Sequence, residues 1–62
     1  MSILRIKREE KGLTQSQMAE KLDVSESAIS HYENGRRTPN ITVLQKYSDC
    51  FGCTIDELVK AQ

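Results

Sequence analysis

The stretch TQSQMAEKLDVSESAISHYENG, Thr14 to Gly35, leaves little choice about what it folds into. Thr14 and Gln17 form a T-x-x-Q capping box, which satisfies two of the unpaired N–H groups at a helix start. Met18, Ala19 and Leu22 then recur at helical spacing and make one apolar face. Asp23-Val24-Ser25 interrupts the pattern. Ser25 is a good N-cap for a second helix, which runs to Asn34 and stops at Gly35, a residue type that takes the left-handed conformation at little cost. A three-residue turn is too short to lay two such helices side by side, so they must cross at a steep angle.

A helical wheel at roughly 100° per residue sorts the second helix into two faces. With Glu26 at zero, Ser30, Ser27 and His31 fall within one arc of roughly 140°, all polar. Ala28, Tyr32, Ser25 and Ile29 occupy the opposite arc, between roughly 200° and 300°. A face that is merely solvated more often carries Lys, Glu and Arg, the strong helix formers. Short polar groups instead allow close approach to hydrogen-bonding edges. Helix, short turn and helix with such a face is the helix-turn-helix pattern, whose second helix enters the major groove of duplex DNA.

The flanking segments add three more helices. Ser2 caps a first helix that runs to Lys11 and ends at Gly12, with Ile3 and Ile6 on one face and Leu13 continuing it. Asn40 caps a fourth, with Ile41, Leu44, Tyr47, Ser48 and Phe51 on or near one face, ending at Gly52. Thr54 and Glu57 make a second capping box for a short last helix from Ile55 to about Lys60, with Ile55, Leu58 and Val59 apolar. All three glycines stand just past helix ends, and no strand signal competes. The expected fold is all-α, five helices in one domain over residues 1–62.

A chain of 62 residues buries about 60% of its unfolded surface, so it sits near the lower limit for one unaided core. No run of eighteen apolar residues is present, and MSILRIKREE lacks the apolar core of a signal peptide. A soluble cytoplasmic protein is expected. Nine basic residues balance nine acidic ones, which weighs against a strongly electrostatic DNA binder. Residues 1–39 hold seven Lys/Arg against six Asp/Glu, and residues 40–62 hold two against three. That weak asymmetry predicts modest affinity for non-specific DNA and a small salt slope.

The segments KGLTQ (Lys11 to Gln15), MAEKL (Met18 to Leu22), VSESAIS (Val24 to Ser30), YENGRRTP (Tyr32 to Pro39) and FGCTIDEL (Phe51 to Leu58) together resemble the lambda-repressor-like, Xre/Cro family of bacterial and phage DNA-binding domains. The resemblance covers nearly the whole chain, in family order and spacing. It implies a five-helix bundle that reads bases through Glu26, Ser27 and His31, to which the wheel adds Ser30. It implies phosphate contacts from Thr14, Gln15, Asn34, Arg36 and Arg37, and an internal ion pair between Arg8 and Glu33 that ties the first helix to the end of the recognition helix. A serine reads several bases and a glutamate accepts from the cytosine amino group, whereas a carboxylate that misses that group works against other sequences. Two positions depart from the family. Lys7 stands before Arg8 where an apolar residue is usual, so either Ile6 does that packing or the first helix is rotated. Asp23 stands where the turn usually has glycine, and aspartate tolerates the left-handed region better than most residues.

Cys50-Phe51-Gly52-Cys53 matches C-x-x-C, a spacing used in redox and metal sites. A structural zinc site needs four ligands, and only His31 remains, on the outward face of another helix. A redox pair expects a helix after its first cysteine, whereas here a helix ends there. Two small hydrophobes are the expectation, as the family also has at these positions. One histidine, no carboxylates paired in an apolar setting and no phosphate-cradling glycine loop leave no basis for an enzyme or a cofactor.

The function expected is therefore that of a sequence-specific regulator on double-stranded DNA, a repressor acting as a homodimer on a two-fold operator. The family commonly dimerises through its C-terminal region, for which Phe51, Leu58, Val59 and the residues near Cys53 are candidates. Control by abundance rather than by a small-molecule ligand goes with this, as does a nucleoid location. The rival is a protein-interaction module of the same fold, an antitoxin or adaptor, which net neutrality and Glu26 favour.

Overall fold

The computed structural model describes residues 2–60. Five helices follow in order: α1 (Ile3–Glu10), α2 (Gln15–Leu22), α3 (Glu26–Glu33), α4 (Ile41–Phe51) and α5 (Ile55–Lys60). None is long and apolar enough to cross a membrane. Each start has a side chain that replaces a missing helical acceptor. The Ser2 hydroxyl accepts from the Arg5 N–H (3.4 Å), Ser25 from Ala28 (3.0 Å) and the Asn40 carbonyl oxygen from Val43 (2.9 Å). Thr14 and Gln17 form the reciprocal box, at 3.1 and 2.9 Å. Thr54 accepts from the Glu57 N–H at 3.2 Å, one half of the second expected box.

The helix ends share one device. Gly12, Asp23, Gly35 and Gly52 all have positive φ, between +56° and +75°, and the residue after each returns its N–H to the carbonyl five positions back. These bonds are Leu13 to Arg8 (3.2 Å), Val24 to Ala19 (3.0 Å), Arg36 to His31 (2.9 Å) and Cys53 to Ser48 (3.2 Å). This is the Schellman closure, in which the returning residue is usually apolar and packs back on the helix. Leu13, Val24 and Cys53 do so, each half-buried against the core. Cys53 is thereby accounted for as a small hydrophobe at a helix end, and its carbonyl also accepts from the Ser48 hydroxyl. Of these four returning residues, Arg36 after α3 is the charged one, and it is exposed.

The core comprises Leu4, Met18, Ala19, Leu22, Ala28, Ile29, Tyr32, Val43, Leu44, Tyr47, Phe51 and Leu58. α3 packs on α1 and α2, α4 on α2 and α5. Ala19 is buried on α2, which packs on α3, and a larger side chain there would overpack by about 1–3 kcal/mol. Lys46 of α4 donates its Nζ to the Leu22 carbonyl (3.1 Å), holding the C-terminal end of α2 beside the turn.

Three expectations need correcting. In α1 the inward residues are Leu4 and Arg8, four apart, and Ile6 is half-buried outside the core. The helix is rotated so that its buried stripe carries the arginine, which Ile3 and Ile6 alone did not reveal. In α4, Val43 is buried while Ile41, at the first helical position, is 66% exposed. Phe51 and Leu58 are core residues, which removes them as dimer contacts; Val59 is 53% exposed and remains available.

Tyr47 is fully buried, edge-on to Tyr32 (6.4 Å between centroids, 75° between planes) and tilted against Phe51 (5.5 Å). Its hydroxyl has no hydrogen-bond partner among the described residues, and burial pushes the phenol well above its ordinary pKa. Because that hydroxyl was desolvated without compensation, Tyr47→Phe is expected to be neutral or to stabilise by up to about 1 kcal/mol in urea denaturation. A loss above about 1 kcal/mol would show that the hydroxyl is bonded in solution.

Candidate nucleic-acid interface

The outward side of α3 is as polar as the helical period requires. Ala28, Ile29, Tyr32 and Glu33 are buried. Glu26 and Ser27 are exposed in the first turn, and Ser30 and His31 are half-buried one turn later. The Ser25 oxygen accepts the Ala28 N–H as the cap, and Ser27 presents a further exposed hydroxyl in that turn. The Ser30 hydroxyl accepts from Asn34 Nδ2 (3.4 Å), linking one base-reading candidate to one phosphate candidate.

The phosphate candidates lie at two helix ends. Arg36 and Arg37 are exposed in the loop after α3 and take part in no ion pair among the described residues. Their backbone N–H groups both return to the His31 carbonyl, at 2.9 and 3.3 Å, so the loop starts from the recognition helix in a defined direction. At the start of α2, Thr14 is exposed with its oxygen occupied by the Gln17 N–H, which leaves its own O–H free to donate. Gln15 is half-buried, and its amide Nε2 donates to Glu33 Oε1 at 3.1 Å. Nothing in the linear sequence pointed to that bond, since its partner is eighteen positions away.

Behind the surface, Arg8 and Glu33 meet in a bidentate pair: Nε to Oε2 at 2.6 Å and Nη2 to Oε1 at 3.2 Å. Their side chains are 9% and 2% exposed. Arg8 Nη1 also donates to the Leu13 carbonyl at 2.6 Å, so the guanidinium joins α1, the loop after it and the end of α3. The hydrogen bond to Glu33 holds the Arg8 pKa above its ordinary value. A second pair, Arg5 with Glu9 (3.4 Å), is exposed and contributes little. Among the described residues, no three His, Cys, Asp or Glu side chains are grouped so as to hold a metal ion.

The helix-turn-helix family model matches residues 4–58. This chain belongs to that family, in its lambda-repressor-like form. The HTH-type transcriptional activator BcrR of Enterococcus faecalis is 48% identical over 52 residues, 84% of this chain and 26% of that protein. The uncharacterized HTH-type transcriptional regulator YqaE of Bacillus subtilis is 36% identical over 55 residues, 89% of this chain and 47% of that protein. The chain thus spans about a quarter to a half of the length of these relatives. Among solved structures, the N-terminal DNA binding domain of SinR from Bacillus subtilis superposes with a TM-score of 0.82 at 33% identity, covering 90% of this chain and 83% of that one. The all-helical architecture and the helix-turn-helix seen here are those of this family.

Proposed function

We propose that this helix-turn-helix chain binds double-stranded DNA sequence-specifically, with α3 in the major groove, and regulates transcription as a homodimer on a two-fold operator. The observation that carries the reading is the polar row on α3, Glu26 and Ser27 exposed with Ser30 and His31 behind them. That row is flanked by donors at the start of α2 and by Arg36 and Arg37 after α3, which make no ion pair among the described residues. Ser27 sits in the first turn, which docks first, and reads a base edge; His31 and Ser30 reach the next pairs; Glu26 accepts from a cytosine amino group. Thr14, Gln15, Asn34, Arg36 and Arg37 hold the phosphates and fix the register. Arg8 and Glu33 orient the recognition helix from behind.

Exposed Val59 on the C-terminal helix supports dimerisation through that region. Occupying a promoter gives repression without further parts. The activator name belongs to a relative of which this chain spans only 26%. A nucleoid location follows from the DNA reading.

Selection of binding sites from random duplexes tests the reading, with a two-fold symmetric motif as the expected result. No enrichment at low salt would favour the protein-interaction module, to which the net charge of zero and Glu26 also point. Arg37 gives a sharper check. Arg37→Ala is expected to weaken all duplexes equally and to lower the salt slope by about 0.9, the value for one neutralised phosphate. A changed base preference would move Arg37 from the phosphates to the bases.

A further inference from the structure

We propose that Glu33 is a positioning residue for phosphate binding at the start of α2, because its carboxylate, clamped by Arg8, holds the Gln15 amide with one N–H bound and the other presented to the DNA backbone. This rests on the duplex-binding reading above and assigns Glu33 a second task besides orienting α3.

The geometry supplies each step. Both carboxylate oxygens of Glu33 are engaged by Arg8, at 2.6 and 3.2 Å, so the group cannot rotate away. Gln15 Nε2 reaches Oε1 at 3.1 Å. A primary amide has two N–H donors on that nitrogen, and one carboxylate bond uses one of them. Gln15 has no other side-chain partner among the described residues, and it is half-buried, so part of the amide meets solvent. Gln15 also opens α2, whose first backbone N–H groups and dipole favour an anion. A free glutamine would lose rotamer entropy on gripping a phosphate; one already tethered loses little. An acceptor on the first N–H also polarises the amide and strengthens the second as a donor. The contact is neutral, so it adds affinity without releasing a further counterion.

Binding to random duplex isolates this contact from base reading. Gln15→Ala is expected to weaken random duplex roughly 3- to 10-fold with the salt slope unchanged. In the Arg8→Met/Glu33→Leu background, where the tether is gone, the same substitution should cost less than about 2-fold. Equal losses in the two backgrounds, or no loss in the parent, would overturn the proposal.

A measurement on the unmutated protein covers the case in which that background does not fold. By NMR, one Gln15 side-chain amide proton should be protected from exchange in the free protein, and both on adding random duplex. Two unprotected protons in the free state, or no change with duplex, would overturn the proposal while leaving the DNA reading intact. A parent protein that binds no duplex at all would overturn both.

Discussion

Arg8→Met is expected to cost about 3–5 kcal/mol, because it leaves the Glu33 carboxylate buried without its partner. A domain of this size has a total stability of about 3–9 kcal/mol, so the substitution removes at least about a third of it. The Glu33 side chain is 2% exposed and cannot reach water without moving α3. Its remaining partner, the Gln15 amide, is neutral. Arg8→Met/Glu33→Leu should recover most of the loss, since an apolar pair of similar volume replaces both charges. Recovery falls short of complete because the Leu13 carbonyl loses its donor. Urea denaturation followed by circular dichroism measures all three proteins. A single variant within 1 kcal/mol of the parent would show that the carboxylate is solvated and that the pair is peripheral to the fold.

Ser27→Ala/His31→Ala is expected to do the opposite: keep the fold and lose the sequence. Ser27 is exposed and His31 half-buried, and neither makes a side-chain hydrogen bond among the described residues. Stability should therefore stay within about 0.5 kcal/mol of the parent. Affinity for the selected operator should fall by roughly 1–3 kcal/mol for each base edge no longer read. Random duplex should be bound almost as before, because the phosphate contacts proposed at the start of α2 and the end of α3 do not involve these side chains. Fluorescence anisotropy on the two duplexes gives the specificity ratio. Equal weakening on both would make Ser27 and His31 bystanders, and unchanged binding to both would remove the reading face from α3.

Much of this architecture was legible because its determinants are local. A cap and its acceptor lie three residues apart, so Ser2, Thr14, Ser25 and Asn40 could be read directly, and each carries its expected bond. The helix ends were legible for the same reason: glycines at 12, 35 and 52, and Asp23 in the turn, all take positive φ. Helical period separated Ala28, Ile29 and Tyr32 from the polar side of α3, and these three are buried. A signal that went unread was also local, the apolar residue after each left-handed position, which explains Leu13, Val24 and Cys53 together.

Tertiary structure alone decided what depends on distant partners. Period could place Leu4 and Arg8 on one stripe of α1, but only the carboxylate of Glu33, twenty-five positions on, makes burial of a guanidinium tolerable and so sets the rotation of the helix. The same holds for Lys46 on the Leu22 carbonyl and for Gln15 on Glu33, bonds across twenty-four and eighteen positions. Which end of an apolar stripe faces the core is likewise a matter of what packs over it, so Ile41 and Val59 stay exposed while Val43 and Leu58 are covered. Local hydrogen bonds and dihedral preferences are written in neighbouring residues; the pairing of a buried charge is written only where the chain returns to meet it.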